Sequence, residues 1–519
     1  MKIVSVSQMQ KAERDCADSG LSLDQLMENA GEAVAQEMRS ILGDLSQQNI
    51  LVLVGPGNNG GDGLVAARFL YDWGADRVKV YLCGPRPQGD KNLALIIKRS
   101  IHFREINNDP DHIKFQEWLS EATVVLDSVF GTGKSRPITG GIAQILNATK
   151  EAKKHHPDLH IFALDLPSGL NADTGLVDPA TPFADHTITL GYPKIGLYHL
   201  PGAEHAGAIS IVDIGIPDRL TDYVRVTLLS QNLIKTLLPA RSPVSHKGTF
   251  GKVMALVGSI NYIGAAYLAC TGIIRVGAGL STLAIARSLQ PILASKLTEV
   301  IYLPLPEIRE GLAVTDSLGI LKQQLPQYDV LLLGCGIGQS QSTMVLLENL
   351  LFSPQTQLPV LVLDADGLNL LSRSPDWVER FKQDAVLTPH PGEMSRLLNK
   401  PLEDIQANRI YIAQEASAKW NKTIVLKGAF TVIASPDGQV RVSPFANAGL
   451  ASAGTGDVLA GSIAGMAAQG LSLFDAATCG VYIHGLAGEI VRNQIGDAGM
   501  LASDLLPVLP QAIKQTKVS

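Results

Sequence analysis

Short, almost continuous apolar runs alternate with segments of helical periodicity through the first half of the chain. A run made almost wholly of Val, Ile and Leu is typical of a strand in a parallel sheet that helices cover on both faces. The segment before the first run has apolar residues at near-helical spacing, with Ser22 placed to cap it. The runs that predict strands in this half are 50–55, 78–84, 123–128 and 160–165.

The second half repeats the alternation after an interruption. Prolines and glycines break the pattern over residues 214–245, so we expect a domain boundary near 220–240. Small-residue helical segments close the chain. The predicted strands are 252–259, 280–286, 329–336, 359–367, 384–393 and 422–430. The pattern therefore predicts two α/β domains, which we place at residues 1–222 and 235–512.

Composition narrows the class of protein. A chain of 519 residues is too long for one ordinary domain, and 46% hydrophobic with 18% charged residues suits a well-buried globular protein. The net charge of −6 gives no general attraction to nucleic acid or to acidic membranes, so we expect neither as a partner. Five scattered cysteines without a CxxC pair, and a charged start without a signal peptide's apolar core, indicate a cytoplasmic protein.

The first glycine-rich motif, "GPGNNGGDG" (55–63), looks like a dinucleotide fingerprint. Gly55, Gly57 and Gly60 fit the spacing GxGxxG. A dehydrogenase of that type ends its second strand with an acid about 20 residues on, whereas this strand ends "VYLCGPRP". We therefore do not expect hydride transfer. A glycine turn whose backbone N–H groups lie at a helix start favours a phosphate or another anion.

Two further strand ends carry carboxylates. Asp127 and Asp165 each end an apolar run, and Ser168 follows closely. Ligands of open parallel sheets bind beyond the carboxyl ends of the strands. Asn59, Asp127 and Ser168 could supply hard oxygen ligands to a cation such as potassium, magnesium or calcium. The alternative is that the two aspartates only cap helices.

The stretch "SVFGTGKS" (128–135) resembles a P-loop but lacks its first glycine. Ser128 stands at that position, and Pro137 falls where the P-loop helix should be running. We expect a glycine-rich loop that contacts a substrate phosphate, with Lys134 as a point charge, rather than a site of nucleotide hydrolysis.

Four motifs in order make the first half similar to a known domain. "GPGNNGGDG", "DSVFGTG", "DLPSGL" and "GYPKIGLY" resemble the epimerase domain of the NAD(P)HX repair enzymes. The resemblance implies a Rossmann-like three-layer fold, bound potassium, and the R and S forms of hydrated NADH and NADPH (NADHX and NADPHX) as substrates. It places potassium on Asn59, Asp127 and Ser168, and makes Asp165 the candidate acid/base. The implied substrate-binding residues are Asn58, Asn59, Gly60, Gly61, Asp62, Gly131, Thr132, Gly133, Lys134, Ser135, Arg136, Pro137 and Asp165.

The motif "AGTGDVLAG" (453–461) carries the strongest chemical signal of the second half. Gly454 and Gly456 allow backbone N–H groups to turn toward one point where an apolar helix begins. Such a helix start stabilises negative charge that develops during phosphoryl transfer. Asp457 lies where a carboxylate can take the proton of an attacking hydroxyl. The alternative role for this aspartate is purely that of a helix-start residue.

Other strand ends of the second half offer weaker signals. "KGAFT" (427–431) offers backbone and lysine contacts to a nucleotide phosphate, and "GCGIG" (334–338) is a lone glycine turn. His390 lies between two prolines after a strand, so we expect it to contact a substrate rather than serve only the structure. Asp364 and Asp366 could bind a metal or cap a turn, and the spacing lacks the rest of a calcium loop.

The second half also resembles a known enzyme. "SHKGTFGKVMALVGS", "YIGAAYLA", "TPHPGE", "KGAFT" and "AGTGDVLAG" are similar to the ribokinase-type, ADP-dependent NAD(P)HX dehydratase, which is often fused to the epimerase. The resemblance implies phosphorylation of the ring hydroxyl of the S form by ADP, with magnesium, followed by loss of phosphate. The implied nucleotide-binding residues are Lys427, Gly428, Ala429, Phe430, Thr431 and Gly456. The implied substrate-binding residues are Ala265, Gly338, His390 and the catalytic Asp457.

One alternative stays open at this point. The second fold also serves hydroxymethylpyrimidine-type kinases, in which case the first domain would be a non-catalytic Rossmann-like binding module. A vitamin kinase has no evident use for the first domain, and pure binding does not need its oxygen-rich pocket. We therefore predict a bifunctional isomerase and lyase of nicotinamide nucleotide repair, acting as a homo-oligomer.

Overall fold

The computed structural model describes residues 1–133, 137–308, 311–354 and 356–518. Of the predicted site residues, Lys134, Ser135 and Arg136 lie outside the described residues. The chain divides into two compact units, Met1–Arg225 and Val226–Ser519. Within these described ranges, no helix combines the length and the apolar character that crossing a membrane would need.

In the first unit, the described residues form a seven-stranded, wholly parallel sheet. Its strand order is β3-β2-β1-β4-β5-β6-β7, so the order reverses between β1 and β4. The strands are β1 (Asn49–Val54), β2 (Arg77–Leu82), β3 (His102–Glu105), β4 (Val124–Ser128), β5 (His160–Leu164), β6 (His186–Leu190) and β7 (Ala208–Val212). The helices are α1 (Val6–Asp18), α2 (Leu23–Leu42), α3 (Asn58–Asp72), α4 (Lys91–Lys98), α5 (Ile113–Glu121), α6 (Gly140–His155) and α7 (Gly202–Ala206).

Helices cover both faces of this sheet and give it three layers. Residues Ile50, Val52 and Val54 of β1 join the hydrophobic core under α1, α2 and α3. The alternate residues Leu51 and Leu53 join a second core under α5 and α6. A strand buried on both faces must be apolar at every position, which explains the continuous apolar run in the sequence.

In the second unit, the described residues form a ten-stranded mixed sheet and a separate hairpin. The order is β11-β10-β9-β14-β15-β16-β17-β18-β19-β8, parallel from β11 to β17 and antiparallel from β17 through β19. The strands are β8 (Val226–Leu228), β9 (Lys252–Leu256), β10 (Leu280–Ala286), β11 (Ile301–Leu305), β12 (Glu307–Ile308), β13 (Gly311–Leu312), β14 (Val330–Leu333), β15 (Val360–Leu363), β16 (Ala385–Leu387), β17 (Thr423–Leu426), β18 (Val432–Ala434) and β19 (Val440–Val442).

The helices of the second unit pack against this sheet and against each other. They are α8 (Gln231–Leu237), α9 (Ile263–Arg275), α10 (Gln290–Ala294), α11 (Val314–Gln324), α12 (Gln341–Leu351), α13 (Asp366–Arg373), α14 (Trp377–Arg380), α15 (Pro391–Leu398), α16 (Leu402–Ala407), α17 (Arg409–Trp420), α18 (Thr455–Ala468), α19 (Leu473–Ile495) and α20 (Ala502–Val518). A Cβ on Gly461 of α18 would lie 2.3 Å from the carbonyl oxygen of Ala269 in α9. Glycine at this position therefore allows α18 to pack closely against α9, and this packing positions α18.

The prediction of an α/β fold in both halves is confirmed, and every apolar run singled out in the sequence forms a strand. The pattern missed several strands, among them the buried β6 and two edge strands that are largely exposed. Three of the four residues of β3, at the edge of its sheet, are exposed. In the edge strand β7, only Val212 is fully buried. An edge strand needs no continuous apolar run, so its sequence carries a weaker signal.

Candidate active sites

The glycine loop of the first unit joins β1 to α3. A Cβ on Gly55 would lie 1.8 Å from the carbonyl oxygen of Val129, and one on Gly60 would lie 2.0 Å from that of Gly55. These two glycines are required by close backbone contacts. Arg86 donates to the carbonyl oxygens of Gly55 (2.9 Å) and Gly57 (2.7 Å), and it forms an ion pair with Asp90. A buried arginine thus holds the loop from beyond the end of β2.

Asp127 and Ser168 form one hydrogen-bonded group below this loop. The Ser168 hydroxyl donates to Asp127 Oδ1 (2.6 Å), and the Ser168 backbone N–H donates to Oδ2 (2.8 Å). Burial raises the pKa of Asp127, and these hydrogen bonds oppose the shift. Asn59 has a buried side-chain nitrogen without a hydrogen-bond partner. Within the described part of the chain, no cationic side chain pairs with Asp127.

Asp165 lies at the end of β5 and has a left-handed backbone conformation, with φ of 67°. Its Oδ1 atom accepts hydrogen bonds from the Leu190 backbone N–H (3.1 Å) and the Thr189 hydroxyl (3.2 Å). The same atom contacts the ammonium group of Lys194, which also donates to the Leu190 carbonyl (3.0 Å). Since the Lys194 side chain is 1% exposed, this is a buried ion pair that fixes the position of the carboxylate.

A cavity of about 790 Å³ opens above these groups. It brings together many of the sequence-predicted residues: Asn58, Asn59, Asp62, Gly131, Thr132, Gly133, Pro137 and Asp165. Gly60 and Gly61 are buried in the first turn of α3, while Asp127 and Ser168 are fully buried. The cavity wall also includes residues that sequence reasoning missed, namely Met9, Gln10, Glu13 and Lys194.

Carboxylates cluster around this cavity. Burial raises the pKa of Asp62 well above its ordinary value, and the charges of Asp165 and Glu13 add to the shift. Burial also raises the pKa of Glu13, where Asp165 adds to the shift and Lys194 opposes it. The cavity thus holds one carboxylate paired with a lysine and two that form no ion pair with any described residue.

The corresponding centre of the second unit lies where α18 begins. Side-chain ligand atoms of Cys335, Asp364 and Asp457 lie within 4.8 Å of one another. Lys427 pairs with Asp364 at 2.5 Å, and its ammonium lies 3.6 Å from where a Cβ on Gly456 would be. Gly454 has φ of 91° and begins the helix without a side-chain cap.

Two carboxylates of this centre have pKa values near neutrality. Burial, followed by the charge of Asp364, raises the pKa of Asp457 to about 7, while Lys427 opposes the shift. Burial raises the pKa of Glu393 to about 7, and its carboxylate lies 3.9 Å from Lys427. Burial alone would lower the pKa of Lys427, but the carboxylates of Asp364 and Glu393 raise it. Lys427 therefore stays charged while Asp457 can gain or lose a proton.

The predicted nucleotide loop follows β17 and lies beside this centre. The Lys427 backbone N–H donates to the Pro389 carbonyl, and Phe430 and Gly428 have positive φ angles. Arg409 donates to the carbonyl oxygens of Leu426 (3.1 Å) and Lys427 (3.3 Å), so a largely buried arginine supports this loop too. Burial lowers the pKa of Arg409 to about 10.

His390 caps the start of α15 and also lies close to the Glu393 carboxylate. Its Nδ1 atom accepts from the backbone N–H groups of Gly392 and Glu393, and so caps α15. Its Nε2 atom lies 3.4 Å from the Glu393 carboxylate. Burial, followed by the charge of Lys427, lowers the pKa of His390. The imidazole is therefore a neutral helix cap whose second nitrogen faces the lysine and carboxylate cluster.

A second cavity, of about 620 Å³, lies at the ends of β9, β10 and β14. It includes Gly338, whose backbone N–H donates to the Asp366 carboxylate (2.9 Å). Asp366 therefore holds the 334–338 turn. Ala265 does not line this cavity among the described residues; it is buried, and its Cβ lies 2.7 Å from where a Cβ on Gly336 would be.

Sequence signals existed for some of the missed residues. Lys194 lies within the quoted motif "GYPKIGLY", but nothing in the pattern shows that this lysine is buried. Glu13 directly follows the buried Ala12, at the edge of the apolar stripe of α1. The sequence leaves open whether Asp364 binds a metal or caps a turn; in the structure its carboxylate pairs with Lys427. Glu393 and Arg409 carried no distinctive spacing.

Comparison with known proteins identifies families for both halves. Residues 253–511 match the family described as NAD(P)H-hydrate dehydratase, and residues 23–196 match the family described as YjeF-related protein N-terminus. Within the second match lie the glycine loop, Asp127 and Asp165; within the first lies Asp457.

Full-length relatives carry both halves in one chain. The bifunctional NAD(P)H-hydrate repair enzyme Nnr of Moorella thermoacetica is 41% identical over 94% of this chain and 92% of its own. The enzyme of the same name from Thermofilum pendens is 36% identical over 99% of this chain and 96% of its own. A crystal structure of the ADP/ATP-dependent NAD(P)H-hydrate dehydratase of Bacillus subtilis, co-crystallised with ATP/Mg²⁺, is 30% identical and covers 56% of this chain and 99% of its own, with a TM-score of 0.48.

These matches span both units. They favour a repair enzyme over the alternative of a vitamin kinase joined to a non-catalytic module. The chain belongs to the family of bifunctional NAD(P)H-hydrate repair enzymes, with an NAD(P)HX epimerase domain and an NAD(P)HX dehydratase domain.

Proposed function

We propose that the 790 Å³ cavity is the epimerase site and that Asp165 is its acid/base. The observation that supports this assignment is the buried ion pair between Asp165 and Lys194, because it fixes a carboxylate in the cavity wall, where it can exchange a proton with a bound substrate. The glycine loop would hold the phosphates of the substrate through backbone N–H groups at the start of α3. Asn58, Asp62, the segment 131–133 and Pro137 would form the rest of the binding surface, together with Lys134, Ser135 and Arg136.

The substitution Asp165→Asn tests this assignment. Purified R-form NADPHX is followed by chromatography as it converts to the S form, without nucleotide. We expect the variant to lose at least about 100-fold in rate, since a positioned acid/base contributes about 10²–10⁴-fold. Conversion of the R form at the wild-type rate by this variant would contradict the assignment.

The oxygen atoms of Asn59, Asp127 and Ser168 would hold potassium. The buried Asp127 carboxylate supports a cation at this place. No cationic side chain among the described residues pairs with it, and a buried charge requires compensation. The ion would supply positive charge beneath the substrate-binding loops. We expect potassium, but not sodium at the same concentration, to raise the unfolding temperature and the epimerase rate, and Asp127→Asn to remove both effects.

We propose that Asp457 is the base of the dehydratase. It would take the proton of the ring hydroxyl, whose oxygen then attacks the terminal phosphate of the nucleotide, which releases AMP when the nucleotide is ADP. The carbon–oxygen bond next breaks with the electrons of the ring nitrogen, phosphate leaves, and the adjacent carbon loses a proton to give NAD(P)H. The pKa of about 7 supports Asp457 for the first step, because such a group is a base at neutral pH.

The loop of residues 427–431 and Gly456 would hold the nucleotide phosphates beside Lys427. The backbone N–H groups at the start of α18 would stabilise the charge on the transferred phosphoryl group. Asp364, Glu393 and Asp457 offer carboxylate oxygens of the kind that magnesium prefers, so a magnesium–nucleotide complex fits here. The hydrated nicotinamide would reach Asp457 from the 620 Å³ cavity, past Gly338 and His390, while Ala265 would act from behind the 334–338 turn.

Absorbance at 340 nm tests the dehydratase assignment. The S form, with ADP and magnesium, gives NADPH in the wild type. Asp457→Asn should lose at least about 100-fold in rate while it retains epimerisation of the R form. A variant that makes NADPH at the wild-type rate would exclude Asp457 as the base.

We further propose the domain bounds 1–222 and 235–512, a cytoplasmic location and a homo-oligomer. All five cysteines are buried and free, which supports a reducing compartment. Light scattering on the full chain tests the oligomer: a mass above that of the 55.3 kDa chain is expected, and a monomeric mass would contradict it.

A further inference from the structure

The first helix of the protein forms one wall of the epimerase cavity, although none of the motifs in the sequence includes it. Met9, Gln10 and Glu13 of α1 line the cavity together with Asp165 and Lys194. The helix begins with a capping box in which Ser5 and Gln8 bond each other's backbone N–H groups. Its position is therefore set by its own residues as well as by the docking described next.

Backbone hydrogen bonds connect this helix directly to the lysine segment. The Val4 N–H donates to the Pro193 carbonyl (3.0 Å), and the Ile195 N–H donates to the Val4 carbonyl (3.2 Å). Val4 and Lys194 thus form a parallel bridge two residues before α1 begins. The segment that places Lys194 under Asp165 therefore also places Glu13.

Glu13 is a half-buried carboxylate without a hydrogen bond or ion pair in the part of the chain that the structure describes. Its neighbour on the helix, Arg14, is exposed. Two charges on other elements act on the pKa of Glu13: Lys194 lowers it and Asp165 raises it. The charge of Glu13 itself raises the pKa of Asp62. Because Lys194 is already paired with Asp165, Glu13 has no cation of its own and favours its protonated form.

Epimerisation at the hydroxyl-bearing ring carbon needs two proton-transfer groups. An acid must protonate the departing hydroxyl, so that water leaves as the carbon–oxygen bond breaks and the ring nitrogen's electron pair forms a carbon–nitrogen double bond. A base must then take a proton from the water that adds to the other face. Asp165, fixed in the cavity wall by its ion pair with Lys194, suits the second step; a carboxylic acid on another wall suits the first.

We propose that Glu13 is the second acid/base group of the epimerase and acts from the α1 wall of the cavity in partnership with Asp165. In one direction Glu13 donates the proton to the leaving hydroxyl and Asp165 accepts one from the incoming water; in the other direction the roles exchange. One water leaves and one enters, and proton exchange with solvent restores both groups. This inference rests on the proposed assignment of the cavity as the epimerase site.

The test compares Glu13→Gln and Glu13→Asp with the wild type on purified R-form NADPHX. The glutamine variant removes the proton but keeps the shape; the aspartate variant keeps the acid. We expect Glu13→Gln to lose about 10²-fold or more in kcat with little change in KM, and Glu13→Asp to recover part of the loss. The kcat–pH profile of Glu13→Gln should lack one of the two limbs of the wild-type profile.

Asp18→Asn is the matched control, because it makes the same kind of change at an exposed position of the same helix. It should epimerise at the wild-type rate. Dehydration of the S form by the second unit, measured on the same preparations, reports that each variant is folded. A structural defect at Glu13 would not remove a limb of the pH profile.

Three outcomes separate the inference from the site assignment. If Glu13→Gln keeps both the wild-type kcat and both limbs while Asp165→Asn is inactive, the inference is overturned and the site stands. If Asp62→Asn loses the limb and Glu13→Gln does not, Asp62 is the second group and the inference is again overturned. If Asp165→Asn and Glu13→Gln both epimerise normally, the cavity itself is not the epimerase site.

Discussion

Each unit places a carboxylate and a lysine together at the carboxyl ends of its parallel strands. The two pairs differ in whether the lysine contacts the proposed reacting carboxylate or its neighbour. In the first unit the lysine pairs with Asp165, the proposed acid/base. In the second, Lys427 pairs with Asp364, and the proposed base Asp457 has no ion-pair partner among the described residues. In the first unit the lysine thus contacts the proposed reacting carboxylate itself, while in the second it contacts a neighbouring carboxylate and leaves Asp457, whose pKa burial raises to about 7, outside the ion pair.

This difference corresponds to the two kinds of chemistry. Inversion at one carbon needs a proton donor and a proton acceptor, and the ion pair fixes the Asp165 carboxylate in position for one of these proposed roles. Phosphoryl transfer needs positive charge near the phosphate and a nearby base, and in the proposed mechanism Lys427 would supply the first and Asp457 the second. Pairing with Asp364 keeps the lysine charged although it is mostly buried.

The largest expected effect comes from removing the lysine of the first pair. Lys194→Met leaves the Asp165 carboxylate buried without its cation, and breaking such a pair costs about 3–5 kcal/mol of unfolding free energy. We expect epimerisation to be lost, while dehydration of the S form continues in preparations that remain folded. Denaturant unfolding and chromatography of the R form measure the two effects.

The control for this prediction is Lys114→Met, which removes an exposed pair with Glu117 on α5. A surface pair contributes about 0–1 kcal/mol, so stability and epimerisation should hardly change. Equal losses in the two variants would show that the burial of the Asp165–Lys194 pair is not what makes it important.

A smaller effect is expected from the two arginines that hold the ligand loops through carbonyl oxygens. Arg86→Met should raise KM for epimerisation, and Arg409→Met should raise KM for the nucleotide, each by roughly tenfold, since hydrogen bonds from a charged donor contribute about 1.5–3 kcal/mol. Each variant should spare the reaction of the other unit. Steady-state kinetics of both reactions check this, with the more exposed Arg380→Met as the control.

The smallest effect concerns Cys335, whose thiol lies beside the carboxylates of Asp364 and Asp457. Its hydrogen bond lowers the pKa of Asp457, opposing the larger effect of burial. Cys335→Ala should therefore move the acidic limb of the dehydration pH profile upward by a fraction of a unit. Cys16→Ala, at a buried cysteine of the first unit, should not move it. A downward shift in Cys335→Ala would contradict the role given to the thiol.

The sequence predicts those features of the fold and of the sites that depend on residues close together in the chain. Strands buried on both faces are apolar at every position, so β1 and β14 could be identified from their own residues. The glycine loops and Asp457 are short motifs and were predicted as well. The ion pairs of Asp165 and Asp364 could not be predicted in this way, because Lys194 lies 29 positions from Asp165 and Lys427 lies 63 positions from Asp364.

Burial of polar groups is also not visible in the sequence. Lys194 looks like an ordinary lysine after a proline, and Glu13 like a charged residue on an amphipathic helix. Both line the proposed epimerase cavity only because the Val4 bridge brings the start of the chain to the end of β6. Such long-range placement follows from the topology of the sheet and not from any short pattern.

The most direct test of the difference between the two units is the pH dependence of dehydration of the pure S form. Asp457 acts as a base and must be unprotonated, so the rate should rise with pH through about 7 and then level off. Measurement with both ADP and ATP separates ionisation of the nucleotide from that of the protein. The account predicts a limb near 7 with both nucleotides. A rate that is already maximal at about pH 5 would show that the base is ionised well below pH 7, and would contradict the account.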